Sequence, residues 1–410
     1  MQSLKELYKI GNGPSSSHTM GPKRATEIFR NKYLDADKFK VILYGSLALT
    51  GKGHLTDYII KATLEGYETE ILFDEQAECK VHPNTFDIMA YKNEKELDKW
   101  RVYSIGGGTF KIEGKKEIVF EEIYDHKNFE EIKKFCQEKN IDFYEYVCLY
   151  EGKEEITKFL EEIWESMQKT IEFGLKDIGV IPGKLGLNKR AKVIYEGGEK
   201  IEDDNMKQVR LLSSYAYATA ETNASGGIIV TAPTCGACGV LPAVLYYLKK
   251  KQNVSDEKIV KSLAVAGIIG NVVKTNASIS GAECGCQAEV GTACSMAAAA
   301  AAYIMGLDID KIENSAEVAM EHHLGLTCDP IYGYVQIPCI ERNAVAAMRA
   351  LDAANLSKIL GKDKKISLDL VIDTMYETGK DLQSHYRETS EGGLAKKYCR
   401  NKYYNEEKKE

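Results

Sequence analysis

The stretch that decides the fold reads GAECGCQAEVGTACSMAAAAAAYIMG over residues 281–306 and, after a helical spacer, HHLGLTCDPIYGYVQIPCIERN over residues 322–343. Its six consecutive alanines, 297–302, favour a closely packed interior helix, because alanine combines high helix propensity with little bulk. Glycine and proline interrupt the apolar pattern on both sides, which places loop corners between helices. We therefore expect a mostly α-helical domain that carries its chemistry on the corners.

Three cysteines of this stretch, Cys286, Cys328 and Cys339, stand beside a glycine or a proline. Cysteines on loop corners can point into one shared pocket, whereas cysteines inside helices mostly pack as small apolar side chains. The three are widely spaced, unlike the compact cysteine runs of ferredoxin-type electron carriers. Soft thiolate ligands favour an iron–sulfur cluster or zinc, so the residues alone leave both open. Three ligands would suit a cluster with one open iron, and buried packing thiols are the alternative.

The N-terminal part of the chain alternates strand-like and helical patterns. KVILYGSLAL (40–49), TEILFD (69–74) and VYSIGGGTFKI (102–112) are typical of strands. The three glycines inside the last run lack the lysine and hydroxyl residue of a phosphate-binding loop, so a tight turn is predicted there.

This alternation predicts a two-domain protein, with an N-terminal α/β (α+β) domain followed by a mostly α-helical domain. A charged stretch at 125–155 marks the expected boundary. We place the N-terminal domain at residues 1–150, and the all-α domain with its C-terminal tail at residues 151–410.

Composition limits the possible partners and the compartment. A net charge of -7 argues against a nucleic-acid or anionic-membrane partner. No stretch is long and apolar enough to span a bilayer, and the N-terminus lacks the apolar core of a signal peptide. We therefore expect a cytoplasmic protein. In that reducing compartment its eleven cysteines should be free thiols, metal ligands or catalytic groups rather than disulfides.

A hydroxyl-rich run, GNGPSSSHTMGP at residues 11–22, precedes a helical pattern. Backbone N–H groups and hydroxyls before a helix can bind a carboxylate or phosphate, although a capped loop is the ordinary alternative. Histidine is the most available base near neutral pH. His54, in the loop Gly-Lys-Gly-His, is the first candidate, followed by His18 in the hydroxyl-rich run and His82.

The chain resembles the iron–sulfur-dependent L-serine dehydratases (L-serine ammonia-lyases), in a form with both domains fused. The resemblance lies in long sequence segments distributed over nearly the whole chain. These segments include GPSSSHTMGP (13–22), YGSLALTGKGHLTD (44–57), TAPTCGACGVLPAVL (231–245) and MEHHLGLTCDPIYGYVQIPCIERNA (320–344). The resemblance implies a [4Fe-4S] cluster held by Cys286, Cys328 and Cys339, and L-serine as the substrate that is converted to pyruvate and ammonia. It also implies that the N-terminal domain binds substrate or is regulatory and that the helical domain is the iron–sulfur catalytic domain. Spacing alone fixes none of this.

We also predict groups that bind substrate or complete the metal site. Arg342 can make a bidentate contact to the substrate carboxylate, although an ion pair with a nearby acidic side chain is an equally ordinary role. Cys399 follows a glycine-containing tail that could fold back onto a fourth iron. The favoured hydroxyl and amide donors for the substrate are Ser15, Ser16, Ser17, Thr19, Thr231, Thr234, Asn276, Ser278 and Ser280.

Two other classes of protein compete with this interpretation. A pyridoxal-phosphate lyase would need a Schiff-base lysine, for which Lys274 is the candidate. It would also need a glycine turn that binds the cofactor phosphate, such as Gly106–Gly108. It would leave the concentration of cysteines unexplained. A non-enzymatic iron–sulfur redox sensor would form no pyruvate from L-serine. We expect a homodimer, since helical domains of this kind commonly pair.

Overall fold

The structure is a computed structural model that describes residues 1–77, 79–115, 122–198, 202–360 and 365–406, with side chains through residue 400. It contains an N-terminal domain built on a β-sheet and a larger helical domain. The predicted fold class is confirmed. Among the described residues, none of the helices combines the length and hydropathy that a membrane span requires.

The N-terminal sheet has five strands in the order β3-β2-β4-β5-β6, with β2 and β3 parallel and the other neighbours antiparallel. Alternate residues of β2 are buried, as expected for a strand with one face on a core. Helices α1 and α3 cover that face, and the short helix α2 continues directly from β2. The bounds are β2 Lys38–Tyr44, β3 Glu68–Asp74, β4 Thr85–Lys92, β5 Lys95–Gly106, β6 Thr109–Ile112, α1 Gly21–Lys32, α2 Gly45–Thr50 and α3 Thr56–Thr63.

Two local predictions for this sheet met different outcomes. The triple glycine forms the predicted turn, because β5 ends at Gly106 and β6 begins at Thr109, with positive φ at all three glycines. The strand predicted over residues 40–49 ends at Tyr44 instead. Gly45, at φ +51, turns the chain into α2, and this turn carries the following loop toward the helical domain.

The helical domain surrounds α12, which contains the alanine run. Every residue from Thr292 to Ala302 is buried, and α9, α10, α13 and α14 pack around this helix. Small side chains let the neighbouring backbones approach closely, as the alanine run predicts. The bounds are α4 Phe129–Lys139, α5 Phe143–Glu151, α6 Lys153–Gly174, α7 Ala191–Glu196, α8 Asp204–Ala224, α9 Val240–Gln252, α10 Asp256–Asn276, α11 Gly281–Cys284, α12 Thr292–Ile304, α13 Ile309–Glu321, α14 Cys339–Ile359, α15 Leu368–Asp381 and α16 Gly393–Glu406.

The first residues of the chain belong to the helical core rather than to the sheet. Strand β1 (Ile10–Asn12) pairs antiparallel with β7 (Ile228–Val230). Leu4 and Leu7 are buried, and the Tyr8 hydroxyl donates to Leu263 O at 2.9 Å. The N-terminal segment therefore fastens the two domains together.

The apolar cores divide earlier in the chain than the predicted boundary near residue 150. The core of the sheet domain draws its buried side chains from residues between Ala25 and Phe110. Phe129 and Phe143, on α4 and α5, pack into the helical core instead. The boundary near residue 150 stays a prediction.

Candidate active site

Two buried histidines from different loops of the N-terminal domain meet at its surface toward the helical domain. His18 lies in a π-helical turn, Ser16–Met20, ahead of α1, and His54 lies in the loop between α2 and α3. Their ring centroids are 4.2 Å apart, and both side chains are fully buried. The Thr19 hydroxyl donates to His54 O at 2.8 Å and joins the two loops. The structure therefore brings the first two predicted bases together.

Burial makes both imidazoles neutral. It lowers the pKa of His54 to about 4 and the pKa of His18 well below its usual value, in the latter case with a contribution from the neighbouring His54. His54 Nδ1 lies 3.0 Å from Thr50 O, which can only accept, so Nδ1 carries the hydrogen. His54 Nε2 therefore presents a lone pair, and this buried atom has no hydrogen-bond partner within the described parts of the chain.

Glu388, on the segment between α15 and α16, faces both histidines. Its Oε1 lies 3.6 Å from His54 Nε2 and 3.8 Å from His18 Nδ1. The residue is buried and has φ +58, a left-handed conformation that glutamate rarely adopts. Because both histidines are neutral, these contacts are not ion pairs.

The same segment connects the histidines to the predicted thiol ligands. Cys328 N donates to Tyr386 O at 2.8 Å, and Glu388 N donates to Cys328 O at 2.8 Å. This short parallel bridge, between Cys328 and Arg387, holds the thiol loop against the residue that faces His54. The thiols and the histidines therefore belong to one site.

The three predicted thiol ligands come from three corners of the helical domain. Cys286 follows α11, Cys328 lies in the loop after α13, and Cys339 begins α14. The first two are buried and Cys339 is partly buried. Burial raises the pKa of Cys286 to about 11 and the pKa of the other two further. The negative charge of Cys286 contributes to the raised pKa of both Cys328 and Cys339, as expected for thiols that face one another.

The electrostatics of this thiol group fit a bound metal centre. Ionising three buried thiols with raised pKa values costs free energy unless a cation is present. Coordination to a metal supplies that cation and deprotonates the thiol. Arg342 lies beside them, and its guanidinium charge favours the thiolate forms of Cys286 and Cys339. Arg342 also donates to Thr327 O at 2.6 Å and to Asp329 at 3.3 Å. Its predicted role toward substrate stays a prediction.

Glu289 is a second buried carboxyl group beside the thiols. Burial raises its pKa. A Cβ added at Gly281 would lie 2.7 Å from Glu289 Oε2 and 3.0 Å from Cys328 Sγ, and one added at Gly236 would lie 3.3 Å from Glu289 Oε1. The two glycines therefore let the backbone approach the carboxylate closely. Thr234, a predicted substrate donor, contributes a hydrogen bond that favours the charged form of Glu289.

The predicted hydroxyl donors separate into two groups in space. Ser15, Ser16, Ser17 and Thr19 are buried around His18, and Ser17 Oγ lies 2.9 Å from His18 Nδ1. Ser280 is buried, and its hydroxyl finds no partner in the part of the chain that the structure describes. These groups stand around the histidines and the thiol pocket.

Other predicted donors are already engaged elsewhere. The Thr231 hydroxyl donates to Leu7 O at 2.7 Å and accepts from Lys9 N, which ties down the N-terminal segment. Asn276 is exposed and donates to Lys127 O and Val272 O. Ser278 donates to Glu283 at 2.8 Å. The structure does not bring these three to the histidine pair.

His82 lines a cavity of about 500 Å³ between the domains, and it is close enough to His18 to contribute to the lowered pKa of that imidazole. His82 Nδ1 accepts a hydrogen bond from Asn84 N at 3.1 Å. Lys274 and Gly106 line the same cavity, so the lysine and the glycine turn of the pyridoxal-phosphate alternative do meet. Lys274 Nζ, however, donates to Gln2 Oε1 and Glu6 O at 3.0 Å.

Cys399 lies on α16, whose first residues are anchored beside the thiol loop. Leu394 N donates to Asp329 Oδ2 at 2.7 Å. Cys399 is partly buried nearly two helical turns further on, roughly 9 Å along the helix axis. Its role as a fourth ligand stays a prediction.

The sequence reasoning missed the two buried glutamates. Glu289 stands in the otherwise uncharged run QAEVGTAC, and an isolated acid in an apolar segment is a signal for a buried functional carboxylate. Glu388 lies in the polar run RETSEGG, where nothing in the local pattern indicates burial. Its position follows from the long-range bridge to Cys328.

Comparison with known families agrees with this arrangement. Residues 74–395 match the sequence model of the family described as serine dehydratase alpha chain, and residues 3–72 match that of the serine dehydratase beta chain. The chain is 40% identical to the L-serine dehydratase of Haemophilus influenzae, covering 97% of this chain and 99% of that protein. It is 41% identical to L-serine dehydratase 2 of Escherichia coli with the same coverage, and 38% identical to the L-serine dehydratase of Streptomyces coelicolor, covering 96% and 98%.

Proposed function

The chain belongs to the serine dehydratase family, with the regions of the alpha and beta chains fused in one polypeptide, and we propose that it is an L-serine ammonia-lyase. L-serine loses water to give aminoacrylate, which tautomerises and is hydrolysed to pyruvate and ammonia. The relatives that match over nearly their full length are L-serine dehydratases, and this supports both the substrate and the reaction. We further propose that the protein acts as a cytoplasmic homodimer.

The cofactor proposed for this site is a [4Fe-4S] cluster held by Cys286, Cys328 and Cys339. The donor set supports it, because the three neighbouring thiols have raised pKa values and would be ionised only with a cation bound between them. When bound, a cluster with three protein ligands supplies an open iron, a Lewis acid that polarises the substrate hydroxyl and helps it leave. Zinc on the same thiols is the competing possibility.

His54 is the proposed base, and its unpartnered Nε2 is the observation that carries the proposal. The hydrogen bond from Nδ1 to Thr50 O fixes the tautomer, so the lone pair of Nε2 points into the buried site. The lowered pKa keeps the imidazole unprotonated at neutral pH, which leaves Nε2 free to take the α-proton of serine. The role is supported by the bridge from Glu388, which faces His54, to Cys328 in the thiol loop.

Hydroxyl groups around the pocket are proposed to orient the zwitterionic substrate. Ser280 has a buried hydroxyl without a partner in the described residues, so it can bind substrate without breaking an existing hydrogen bond. Thr234 lies beside Glu289 and is proposed as a second donor. Ser15, Ser16, Ser17 and Thr19 form the facing group. His18 lies among them and supports His54 through ring contact. Burial of the site excludes water, which strengthens each of these polar contacts.

The test is iron and acid-labile sulfide analysis of protein purified without oxygen, combined with an assay for pyruvate from L-serine. We expect about four irons and four sulfides per chain, and rapid formation of pyruvate. Replacing Cys286, Cys328 or Cys339 with serine should abolish both, whereas Cys148→Ser, on α5, should change neither. Zinc-containing or metal-free protein that still forms pyruvate would overturn the proposed cofactor.

A further inference from the structure

One ring nitrogen each of His18 and His54 and one side-chain oxygen of Glu388 converge in a buried site. The three atoms lie within 4.8 Å of one another, and all three side chains are buried. His54 Nε2 carries a lone pair, because Nδ1 uses the ring hydrogen on Thr50 O. The tautomer of His18 is assigned in the same way.

The tautomer of His18 follows from two hydroxyl groups. His18 Nε2 lies 3.0 Å from Ser46 Oγ and 3.0 Å from Thr50 Oγ1. Ser46 already donates its hydrogen to Glu388 O at 2.8 Å, and Thr50 already donates to Ser46 O at 2.8 Å. Both hydroxyls must therefore accept, so the ring hydrogen of His18 is on Nε2. His18 Nδ1 presents a lone pair toward Glu388 Oε1, with the Ser17 hydroxyl as its donor.

This convergence leaves one buried lone pair without a donor. Glu388 Oε1 lies 3.6 Å from His54 Nε2 and 3.8 Å from His18 Nδ1. The Ser17 hydroxyl donates to His18 Nδ1, but His54 Nε2 has no hydrogen-bond partner among the described residues, and an unpaired buried polar atom is costly. Two ligands on one zinc ion stand roughly 3.3–3.5 Å apart, given bond lengths of about 2.0–2.1 Å. The observed separations are close to that value. A metal-bound histidine also ordinarily donates its other N–H to a carbonyl or another acceptor, as both of these histidines do.

We propose that His18 Nδ1, His54 Nε2 and Glu388 form a binding site for a divalent transition-metal ion, with Zn²⁺ as the physiological candidate. Two imidazoles and a carboxylate are a ligand set that zinc accepts, with a fourth position for water. The site is distinct from the three thiols, because its donors are nitrogen and oxygen. The ion would replace the Ser17 hydroxyl on His18, and Ser15 Oγ, 3.3 Å from Ser17 Oγ, can accept that hydroxyl instead.

Occupation of this site has a consequence for catalysis that rests on the proposed function. The ion would take the His54 lone pair that is proposed to accept the α-proton of serine. Zn²⁺ should therefore inhibit pyruvate formation reversibly, and a chelator should restore it. Metal binding itself does not depend on the identity of the reaction, so it is measured separately.

The experiment uses the cluster-loaded protein with Co²⁺ as the probe, because its X-ray absorption edge is read separately from that of iron. Equilibrium dialysis should give one Co²⁺ per chain. The cobalt spectrum should show nitrogen and oxygen neighbours at about 2.0–2.1 Å with imidazole scattering, and no sulfur neighbours at about 2.3 Å.

Three variants complete the test. Glu388→Gln and His18→Gln should each weaken Co²⁺ binding by at least about 100-fold, while His126→Gln, whose imidazole contacts Tyr146, should leave it unchanged. Iron content and thermal unfolding identify any variant that fails to fold, and the other ligand variant then decides. The proposal is overturned if the wild type binds no stoichiometric Co²⁺, because a proton shared among the three groups would then explain their convergence. Sulfur ligation, or unchanged affinity in the folded variants, overturns it equally.

Discussion

Glu388 N donates a hydrogen bond to Cys328 O at 2.8 Å, and this contact joins the C-terminal segment to the thiol loop. The side chain of the same glutamate faces His54. A residue near the end of the chain therefore connects the two halves of the site, the histidines of the sheet domain and the thiols of the helical domain. Chemistry that needs both halves depends on this segment being in place.

Removing the His54 imidazole should abolish turnover without loss of the metal centre. A general base contributes roughly 100- to 10,000-fold to a rate, so kcat of His54→Ala should fall by that factor. Iron content should stay at the wild-type value, because no thiol is touched. His126→Ala is the matched control and should keep kcat within about twofold. Near-normal turnover by His54→Ala would remove this residue from the role of base.

Adding a methyl group at Gly281 should disturb the thiol pocket. The new Cβ would lie 2.7 Å from Glu289 Oε2 and 3.0 Å from Cys328 Sγ, so one of the two groups must move. We expect Gly281→Ala to lower iron content and turnover together, and to reduce the free energy of unfolding by about 1–3 kcal/mol. Gly236→Ala places its Cβ 3.3 Å from the same carboxylate and should have a smaller effect. Equal behaviour of the two variants would contradict the close approach at Gly281.

Cys399 should affect the resting state of the metal centre if the tail supplies a fourth ligand. The start of α16 is fixed beside Cys328 through the bond from Leu394 N to Asp329, which keeps the tail near the pocket. Cys399→Ser should therefore change the visible absorption spectrum of anaerobic protein or shorten its lifetime in air. Cys148→Ser serves as the control. A spectrum and a lifetime that both match the wild type would rule out the fourth-ligand role.

Lys274 should make stability depend on alkaline pH. Burial lowers the pKa of its ammonium group from its ordinary value of 10.5 to about 8. Between these values the unfolded chain binds more protons than the folded one at this residue, so its contribution to the free energy of unfolding rises with pH. In Lys274→Met that contribution is lost. The stability of the variant relative to wild type should therefore fall from pH 8 to pH 10, as measured by urea unfolding.

The matching control replaces an exposed lysine of α6. Lys158→Met should keep a constant difference in unfolding free energy from the wild type over the same pH range. A Lys274→Met protein that behaves identically would show that the folded ammonium titrates at its ordinary value.

The sequence predicted the parts of the site that local patterns encode. Gly285, the Asp329-Pro330 pair and Pro338 indicated corner positions for the three cysteines. The structure places Cys286 and Cys339 at helix ends and Cys328 in the loop after α13. The family resemblance and the glycine-flanked loop selected His54. Local sequence patterns could not predict buried contacts between segments that are distant in the chain. Glu388 was missed for this reason, and Thr231 was predicted as a substrate donor although its hydroxyl is bound to Leu7 O.

The position of the first eight residues has a consequence for synthesis of the protein. Leu4 and Leu7 pack against Gly267 and Gly270 of α10, and Tyr8 is bonded to Leu263 O. On the ribosome these residues emerge well before their partners, since Leu263 lies 255 residues after Tyr8. This apolar segment therefore has no docking surface until α10 has left the exit tunnel, and the helical core is completed by a long-range contact that forms late in synthesis or after it.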